Sequence, residues 1–161
     1  MAMWRKMQAG DLAAVMAVAD AVHAGLPEDE AVFAERLALY PEGCLALELP
    51  DGEVAGYAIS HPILPASPPK LNSLLGAIPA GADEYYIHDV ALLPKLRGSG
   101  LARPAIEHLL DHARRYRSVA LVSVYGTGPF WSRFGFVQST RDMGDKLAPY
   151  GEDAVFMARA A

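Results

Sequence analysis

Cysteine is almost absent from this sequence. Cys44 is the only one among 161 residues, so no internal disulfide can form. Disulfides belong to oxidising compartments, and a lone cysteine in a strand-like segment is typical of a buried thiol in a reducing compartment. We therefore expect a cytoplasmic protein that is held together by packing and does not use a cysteine nucleophile.

Long hydrophobic runs are also missing. Apolar residues make up 52 % of the chain, but no run reaches the ~18 residues of a membrane span. Residues 1–6 lack the apolar centre of an export signal. We expect no membrane partner and one globular domain over residues 1–161, long enough to bury a sizeable core.

Basic clusters and metal-ligand patterns are absent as well. The formal net charge is −5, and no run of lysine or arginine is long enough to follow a phosphate backbone, so nucleic acid is not an expected partner. His108 and His112 are one helical turn apart, but they lack the glutamate of the His-Glu-x-x-His zinc motif. The sequence predicts no metal site.

Hydrophobic periodicity divides the chain into strands and helices. The predicted order is strand, helix, helix, three strands, helix, strand, helix and two strands. Helical spacing predicts helices from Leu12 to about Ala24 and from Glu28 or Asp29 through Leu39. The predicted strands cover residues 3–7, 44–49, 54–60, 85–93, 118–124, 136–143 and 154–158.

Residues 61–83 break this periodicity with clustered prolines and glycines. Irregular connections of this length are uncommon in compact domains and often have a function. Two interpretations stay open, a cover over a binding site and a flexible surface excursion. The residues that break the pattern are Pro62, Pro65, Pro68, Pro69, Gly76, Pro79 and Gly81.

The most informative stretch combines a strand, a glycine-rich turn and a helix. Pro94 ends the strand because it has no N–H to donate. Residues 97–102 then read Arg-Gly-Ser-Gly-Leu-Ala. Glycines let a ligand approach the backbone, and the first N–H groups of a helix are unpaired at the positive end of its dipole. This predicts an anion site, most naturally for phosphate, with a ligand-free turn as the alternative.

Two common phosphate motifs do not fit this turn. The dinucleotide fingerprint needs a small residue where this chain has Arg103, and no Gly-Lys-Ser/Thr follows. The turn does match Arg/Gln-x-x-Gly-x-Gly/Ala through Arg97, Gly100 and Ala102, directly after Val-Ala-Leu-Leu-Pro. It resembles the pyrophosphate-binding signature of the GNAT superfamily of acyl-CoA-dependent N-acetyltransferases.

A second segment supports the same resemblance. Residues 130–136 are similar to the Phe-Tyr-x-x-x-Gly-Phe segment of that superfamily, with Trp131 at the tyrosine position. The order of elements agrees over essentially the whole chain. The resemblance implies a single-domain α/β fold, with a mixed, mostly antiparallel sheet of about seven strands, splayed central strands and about four helices.

The resemblance also implies how acetyl-CoA binds as the acyl-donor substrate. Its pantetheine arm would pair with backbone groups of Val90, Ala91, Leu92 and Leu93. An N–H of Leu92 or Leu93 would polarise the acetyl carbonyl. The pyrophosphate would bind the amides of Gly98, Ser99, Gly100, Leu101 and Ala102. Arg97 would contact phosphate or simply cover the turn, and Phe130 and Trp131 would form a wall of the channel.

Acetylation of an amine needs a base or a water relay that removes the amine proton. The candidate bases are His88, Asp89 and Glu84, and the alternative for His88 is a hydrogen-bonded structural residue. Strict strand alternation puts His88 on one face and Asp89 on the other, together with Ile87.

The departing thiolate benefits from an acid, and here the sequence departs from the family. The indole of Trp131 cannot donate its proton. Tyr125, at the end of the neighbouring strand, is the first candidate for this role. Alternatively the thiolate leaves unassisted, because an ordinary thiol has a pKa near ~8.5.

We therefore predict an N-acetyltransferase that moves an acetyl group from acetyl-CoA to a primary amine of a small molecule or peptide, by direct attack in a ternary complex. The alternatives are a CoA-binding module without catalysis, a transferase with a different acyl donor, and a ligand-free interaction domain. The acceptor would be lined by the first two helices, the proline-rich loop and the last hairpin. A homodimer is kept as an open alternative to a monomer.

Overall fold

The computed structural model describes all 161 residues as seven strands and four α-helices. The strands are β1 (Met3–Lys6), β2 (Cys44–Glu48), β3 (Val54–Ile63), β4 (Glu84–Leu92), β5 (Ser118–Ser123), β6 (Val137–Gln138) and β7 (Val155–Ala160). The helices are α1 (Leu12–Val22), α2 (Glu30–Leu39), α3 (Ala102–His112) and α4 (Gly128–Ser132). No helix is both long and apolar enough to cross a membrane.

All strands belong to one sheet with the order β1-β2-β3-β4-β5-β7-β6. Every neighbouring pair is antiparallel except β4 and β5, which are joined through α3 and run parallel. A parallel pair requires such a crossover, whereas β2 and β3 need only a short Asp-Gly turn, in which Gly52 has a φ of 89°. The predicted mixed, mostly antiparallel sheet is confirmed.

The helices cover the two faces of the sheet and form two separate cores. On one face, Val15 of α1 and Phe33 of α2 share a buried cluster with Tyr57 of β3. On the other face, Ile106 of α3 shares a cluster with Tyr85 of β4. We call these faces the α1 side and the α3 side of the sheet.

A β-bulge interrupts β4 at His88. Ile59 of β3 lies opposite Asp89, whereas the next residue of β3 lies opposite Ile87, so His88 is the extra residue. The prediction of strict alternation is wrong here because the extra residue resets the pattern. Ile87 packs in the core on the α3 side, whereas Asp89 accepts a hydrogen bond from Tyr57 on the α1 side.

Two strands differ from the predicted length by three residues or more. β3 continues three residues further to Ile63, because Pro62 pairs with Tyr85 and does not end the strand. β6 has only two residues, whereas eight were predicted over 136–143. β7 occupies the place beside β5, so β6 becomes an edge strand, and Met143 leaves the sheet to pack in a cluster with Phe156.

Candidate active site

The parallel strands β4 and β5 separate in the middle of the sheet. They are paired only from Glu84 to Ile87, opposite Ser118 to Leu121. Beyond this point β4 pairs only with β3, and β5 pairs only with β7. The gap opens into a pocket of about 570 Å³. The predicted splay of the central strands is therefore confirmed.

The pocket passes through the sheet from one side to the other. Trp131 and Arg97 line it on the α3 side, close to the glycine-rich turn. His23, at the end of α1, and Glu28, in the α1–α2 connection, line it on the α1 side. Both sides meet at β4, whose residues from Ile87 to Val90 form the wall between them.

The backbone of β4 offers hydrogen-bonding groups to the gap. The N–H of Leu93 donates to the carbonyl oxygen of Ala55 at 2.9 Å, so this amide is already used. Successive N–H groups of a strand point to opposite edges, and the amide of Leu92 therefore faces away from β3. Of the two amides that the sequence left open, only that of Leu92 faces the gap.

The glycine-rich turn presents free amides. Gly98 and Gly100 both have a φ of 79°, in the left-handed region that favours glycine, and a Cβ at either position would meet nothing within 4 Å. Their N–H groups have no partner in the protein, whereas the N–H of Leu101 donates to the Ser99 hydroxyl at 3.2 Å. The indole of Trp4 donates to the Leu101 carbonyl at 2.7 Å, a support that the sequence pattern did not reveal.

The two aromatic residues of the second segment take different positions on the pocket wall. Trp131 is 9 % exposed and packs edge to face against Phe136, so it belongs to the core. Phe130 is 38 % exposed at the rim. Both line the pocket on the α3 side.

Two of the four predicted catalytic residues are linked through a histidine that the sequence analysis missed. The Nε2 atom of His23 lies 3.0 Å from Oδ1 of Asp89, and its Nδ1 atom lies 3.2 Å from the hydroxyl of Tyr125. The phenol of Tyr57 donates a short hydrogen bond to Oδ2 of Asp89. These four residues, which lie just after α1, in β3, in β4 and just after β5, thus form one chain of hydrogen bonds.

The charge of Asp89 raises the pKa values of the two side chains that follow it in this hydrogen-bond network, His23 and Tyr125. Burial lowers the pKa of His23, but the hydrogen bond and charge of Asp89 outweigh burial and leave that pKa above its ordinary value. Burial and the same carboxylate raise the pKa of Tyr125. Histidine is thus favoured in its protonated form, and the phenol is kept neutral.

His88 belongs to a second and separate pair. Its Nε2 atom lies 2.7 Å from Oε1 of Glu28, and both side chains are nearly buried, at 2 % and 7 % exposure. Burial raises the pKa of Glu28, but the hydrogen bond and charge of His88, together with the N–H of Asn72 and the charge of Arg36, outweigh burial and lower it. The bulge turns His88 towards the α1–α2 connection, so its bond to Glu28 ties β4 to that segment.

Glu84 does not reach the pocket. Its Oε1 atom accepts the N–H of Ala66 at 2.8 Å, and its Oε2 atom accepts the hydroxyl of Ser118 at 2.6 Å. The carboxylate therefore joins the long loop to the paired ends of β4 and β5. The structure separates this residue from the other candidate bases.

The loop between β3 and β4 is tied to the α1 side of the pocket. The carboxylate of Glu35 in α2 accepts the N–H groups of Leu75 and Gly76 at 2.6 and 2.9 Å, and Glu28 accepts that of Asn72 at 2.8 Å. Leu71 lies in the pocket wall. Of the two interpretations of this loop, a cover over a binding site fits better than a flexible surface excursion, because hydrogen bonds hold the loop against the pocket.

No local pattern marked His23 or Tyr57 as site residues. His23 follows the last turn of α1, and Tyr57 reads as an ordinary aromatic residue of a buried strand. Only the packing of α1 against β3 and β4 brings them to Asp89. No group of three or more His, Cys, Asp or Glu side chains is arranged to hold a metal ion.

Solved structures share this fold. The loading GNATL domain of CurA from Lyngbya majuscula superimposes with a TM-score of 0.82 at 16 % identity, covering 99 % of this chain and 98 % of that one. The ribosomal-protein-S18-alanine N-acetyltransferase from Escherichia coli gives 0.69 at 22 %, covering 99 % and 94 %. A GNAT family acetyltransferase from Brucella melitensis, in complex with acetyl-CoA, gives 0.62 at 22 %, covering 99 % and 88 %.

At these identities the structural matches establish the fold alone. No curated protein sequence matches the chain. The family model of the Acetyltransferase (GNAT) family matches residues 14–136, which is well over half of the sequence. The chain therefore belongs to the Acetyltransferase (GNAT) family.

Proposed function

We propose that this protein is a single-domain N-acetyltransferase that moves an acetyl group from acetyl-CoA to a primary amine of a small molecule or peptide. The observation that carries the proposal is the pocket that passes through the splayed sheet. Acyl donor and amine enter from opposite sides and meet at β4. Direct attack in such a ternary complex needs no covalent enzyme intermediate.

The α3 side suits acetyl-CoA. The free amides of Gly98 and Gly100 are donors for pyrophosphate oxygens, and Arg97 adds a positive charge at the pocket wall. The backbone edge of β4, including the amide of Leu92, would hold the pantetheine arm and polarise the acetyl carbonyl. The Brucella melitensis relative, solved with acetyl-CoA, supports this assignment.

The α1 side suits an amine. Asp89 and Glu28 contribute carboxylates near an otherwise apolar wall that includes Leu26 and Leu71. Asp89 is the better placed base, because His88 is committed to Glu28 and Glu84 lies outside the pocket. Tyr125, which is 49 % exposed, is the proposed acid in place of the family tyrosine.

A catalytic cysteine has no place in this proposal. Cys44 is fully buried, and burial raises the pKa of its thiol to about 12. The alternative function is a CoA-binding module without catalysis, which the presence of Trp131 at the tyrosine position favours. A cytoplasmic location is a further prediction from the sequence, and a homodimer stays an open alternative to a monomer.

Thermal unfolding with and without acetyl-CoA tests the donor site. A ligand at about a hundred times its Kd stabilises the native state by roughly 2.7 kcal/mol, which moves the midpoint by several degrees. Free adenine nucleotide is the control. Release of the CoA thiol with a panel of amines then tests transfer, and stabilisation without thiol release would favour the binding module.

A further inference from the structure

His23 occupies an unusual position for a residue at the end of a helix. Its side chain is 16 % exposed, and both ring nitrogens are engaged, one by the Asp89 carboxylate and the other by the Tyr125 phenol. The rings of His23 and Tyr125 are also stacked, with centroids 5.7 Å apart and planes inclined by 18°. The imidazole therefore bridges an acceptor and the proposed acid.

The partners of Asp89 decide which way the hydrogen bonds of His23 point. Tyr57 donates to Asp89, and a carboxylate is an acceptor only. The Nε2 atom of His23 must therefore carry a proton and donate it to Asp89. This leaves Nδ1, opposite the hydroxyl of Tyr125, as the atom whose protonation can change.

The protonation of Nδ1 controls where the proton of Tyr125 points. When Nδ1 is bare, it accepts the phenolic proton, which is then turned away from the pocket. When Nδ1 carries a proton, it donates to the phenolic oxygen, and the phenolic proton is free to point into the pocket.

The backbone of Tyr125 is held in an uncommon conformation at this place. Its φ is 56°, in the left-handed region that residues other than glycine seldom adopt. Such conformations cost energy and persist where the surroundings hold them, often at functional sites. Here the conformation keeps the ring stacked on His23 and the hydroxyl at the pocket wall.

A phenol alone is a poor acid for a thiolate. Ordinary pKa values near ~10 for tyrosine and ~8.5 for a thiol make that transfer unfavourable by roughly thirtyfold. A protonated imidazole, with an ordinary pKa near ~6.5, is a stronger acid than the thiol. A phenol that receives a proton from an imidazolium while it gives up its own avoids this cost.

We propose that His23 is a positioning residue that acts through Tyr125, aiming the phenolic proton at the leaving sulfur and replacing that proton as it departs. This inference rests on the proposed acetyltransferase function and adds its proton donor system. Asp89 and Tyr57 hold the imidazole in the orientation that this role requires.

The step balances in atoms and charge. The bond between the amine nitrogen and the acyl carbon forms, and the bond between that carbon and sulfur breaks. Sulfur takes the proton of Tyr125, and Tyr125 takes the Nδ1 proton of His23. The amine nitrogen releases one proton through the base Asp89 to water, and water later returns one proton to His23. The net result is one proton moved from nitrogen to sulfur.

A double-mutant cycle with His23→Gln and Tyr125→Phe tests the coupling. We expect each single variant to lower kcat by about 100-fold, and the double variant to lie within about twofold of the worse single one, because His23 acts only through the phenol. Acetyl-CoA affinity should stay within about twofold. The matched control is His108→Gln on the exposed face of α3, with unchanged kcat. Multiplied losses in the double variant would overturn the proposal.

A second measurement tests His23 without substituting it. The groups that face His23 are Asp89 on β4, Tyr125 after β5 and Glu28 in the α1–α2 connection, with Tyr57 behind Asp89. We expect kcat at saturating amine to fall as pH rises through the pKa of His23, measured by NMR of its ring nitrogens. In Asp89→Asn both the NMR titration and the falling limb should move together to lower pH.

The outcomes separate this inference from the function on which it rests. A falling limb that does not follow the NMR titration would overturn the role of His23 while leaving acetyl transfer intact. Absence of thiol release by the wild-type protein with every amine tested would overturn the acetyltransferase function and the relay with it. Matching titrations and non-additive losses would support both.

Discussion

The two sides of the pocket present different kinds of chemical group to a ligand. On the α3 side, the groups offered to a ligand are backbone amides of the glycine-rich turn and the edge of β4. On the α1 side, they are side chains from distant segments, such as His23 and Asp89, which are 66 positions apart. The first side depends on backbone conformation, and the second depends on how helices and loops dock.

This difference predicts which substitutions will impair ligand binding on each side. A backbone site tolerates changes of neighbouring side chains but not a residue that cannot adopt its φ. A side-chain site tolerates small backbone adjustments but loses a partner with each substitution, and a buried group left without a partner is costly. Variants on one side should therefore leave the other side's ligand almost unaffected.

The largest effect is expected for Gly100→Val. A β-branched residue at a φ of 79° lowers the free energy of unfolding by about 1–2 kcal/mol and displaces the free amides. We expect at least a ~100-fold rise in the Kd of acetyl-CoA. The control is Gly52→Val in the β2–β3 turn, which has a φ of 89° and equally open surroundings. Equal loss of binding in both variants would contradict an anion site at the turn.

The next effect concerns stability on the α1 side. Glu28→Gln removes the charged partner of the buried His88, and we expect the free energy of unfolding at neutral pH to fall by about 2 kcal/mol. The control is Glu53→Gln, whose pair with Lys95 has the same 2.7 Å separation but side chains that are 40 % and 54 % exposed. Loss of that exposed pair should cost under ~1 kcal/mol.

The Glu28 effect should also depend on pH. The pKa of this carboxyl is lowered in the folded state, so its contribution is fully present above the unfolded value of 4.5 and is lost as pH falls through the folded value. The stability difference between wild type and Glu28→Gln should therefore narrow on acidification, as measured by urea unfolding. A difference independent of pH would rule out the ionised Glu28 carboxylate as its cause.

A smaller effect is expected when the loop is released. Glu35→Ala removes the carboxylate that accepts the N–H groups of Leu75 and Gly76 and so ties the loop to α2. We expect the KM of the amine to rise about 10-fold, because the loop then covers the α1 side less firmly. The Kd of acetyl-CoA should stay unchanged. Glu30→Ala, an exposed residue of the same helix, is the control. A parallel rise in the Kd of acetyl-CoA would show that the two sides are not independent.

The smallest effect is expected from thiol modification. Cys44 is fully buried, and burial raises the pKa of its thiol to about 12. Iodoacetamide on the folded protein should leave both sides of the pocket intact, because the reactive thiolate is scarce and inaccessible. Mass spectrometry should show an unmodified chain with full activity. Rapid modification with loss of turnover would contradict the non-cysteine mechanism.

The elements of the fold could be read from the sequence because their signals are local. Helical spacing located α1 and α2, and alternation located the neighbouring strands β2 and β3. The sequence also predicted the glycine-rich turn, because a positive φ favours glycine and the two positions are glycines. The family resemblance predicted that Phe130 and Trp131 would form a wall of the channel for acetyl-CoA, and both line the pocket.

Features that depend on partners were missed. Pro62 was expected to end a strand, yet pairing with β4 carries β3 past it. Glu84 resembled a candidate base, but its carboxylate is committed to Ala66 and Ser118. The bulge at His88 has no sequence signature, because it reflects a mismatch between two strands that only their pairing reveals.

The sequence by itself determined the order of elements, the family and the backbone features of the α3 side, because these depend on periodicity and on residues with special backbone preferences. Tertiary structure alone decided the side-chain arrangement of the α1 side. It joined His23, Asp89 and Tyr125 and separated them from Glu84. Contacts between segments far apart in the chain are set by the docking of whole helices and strands, and no local pattern encodes them.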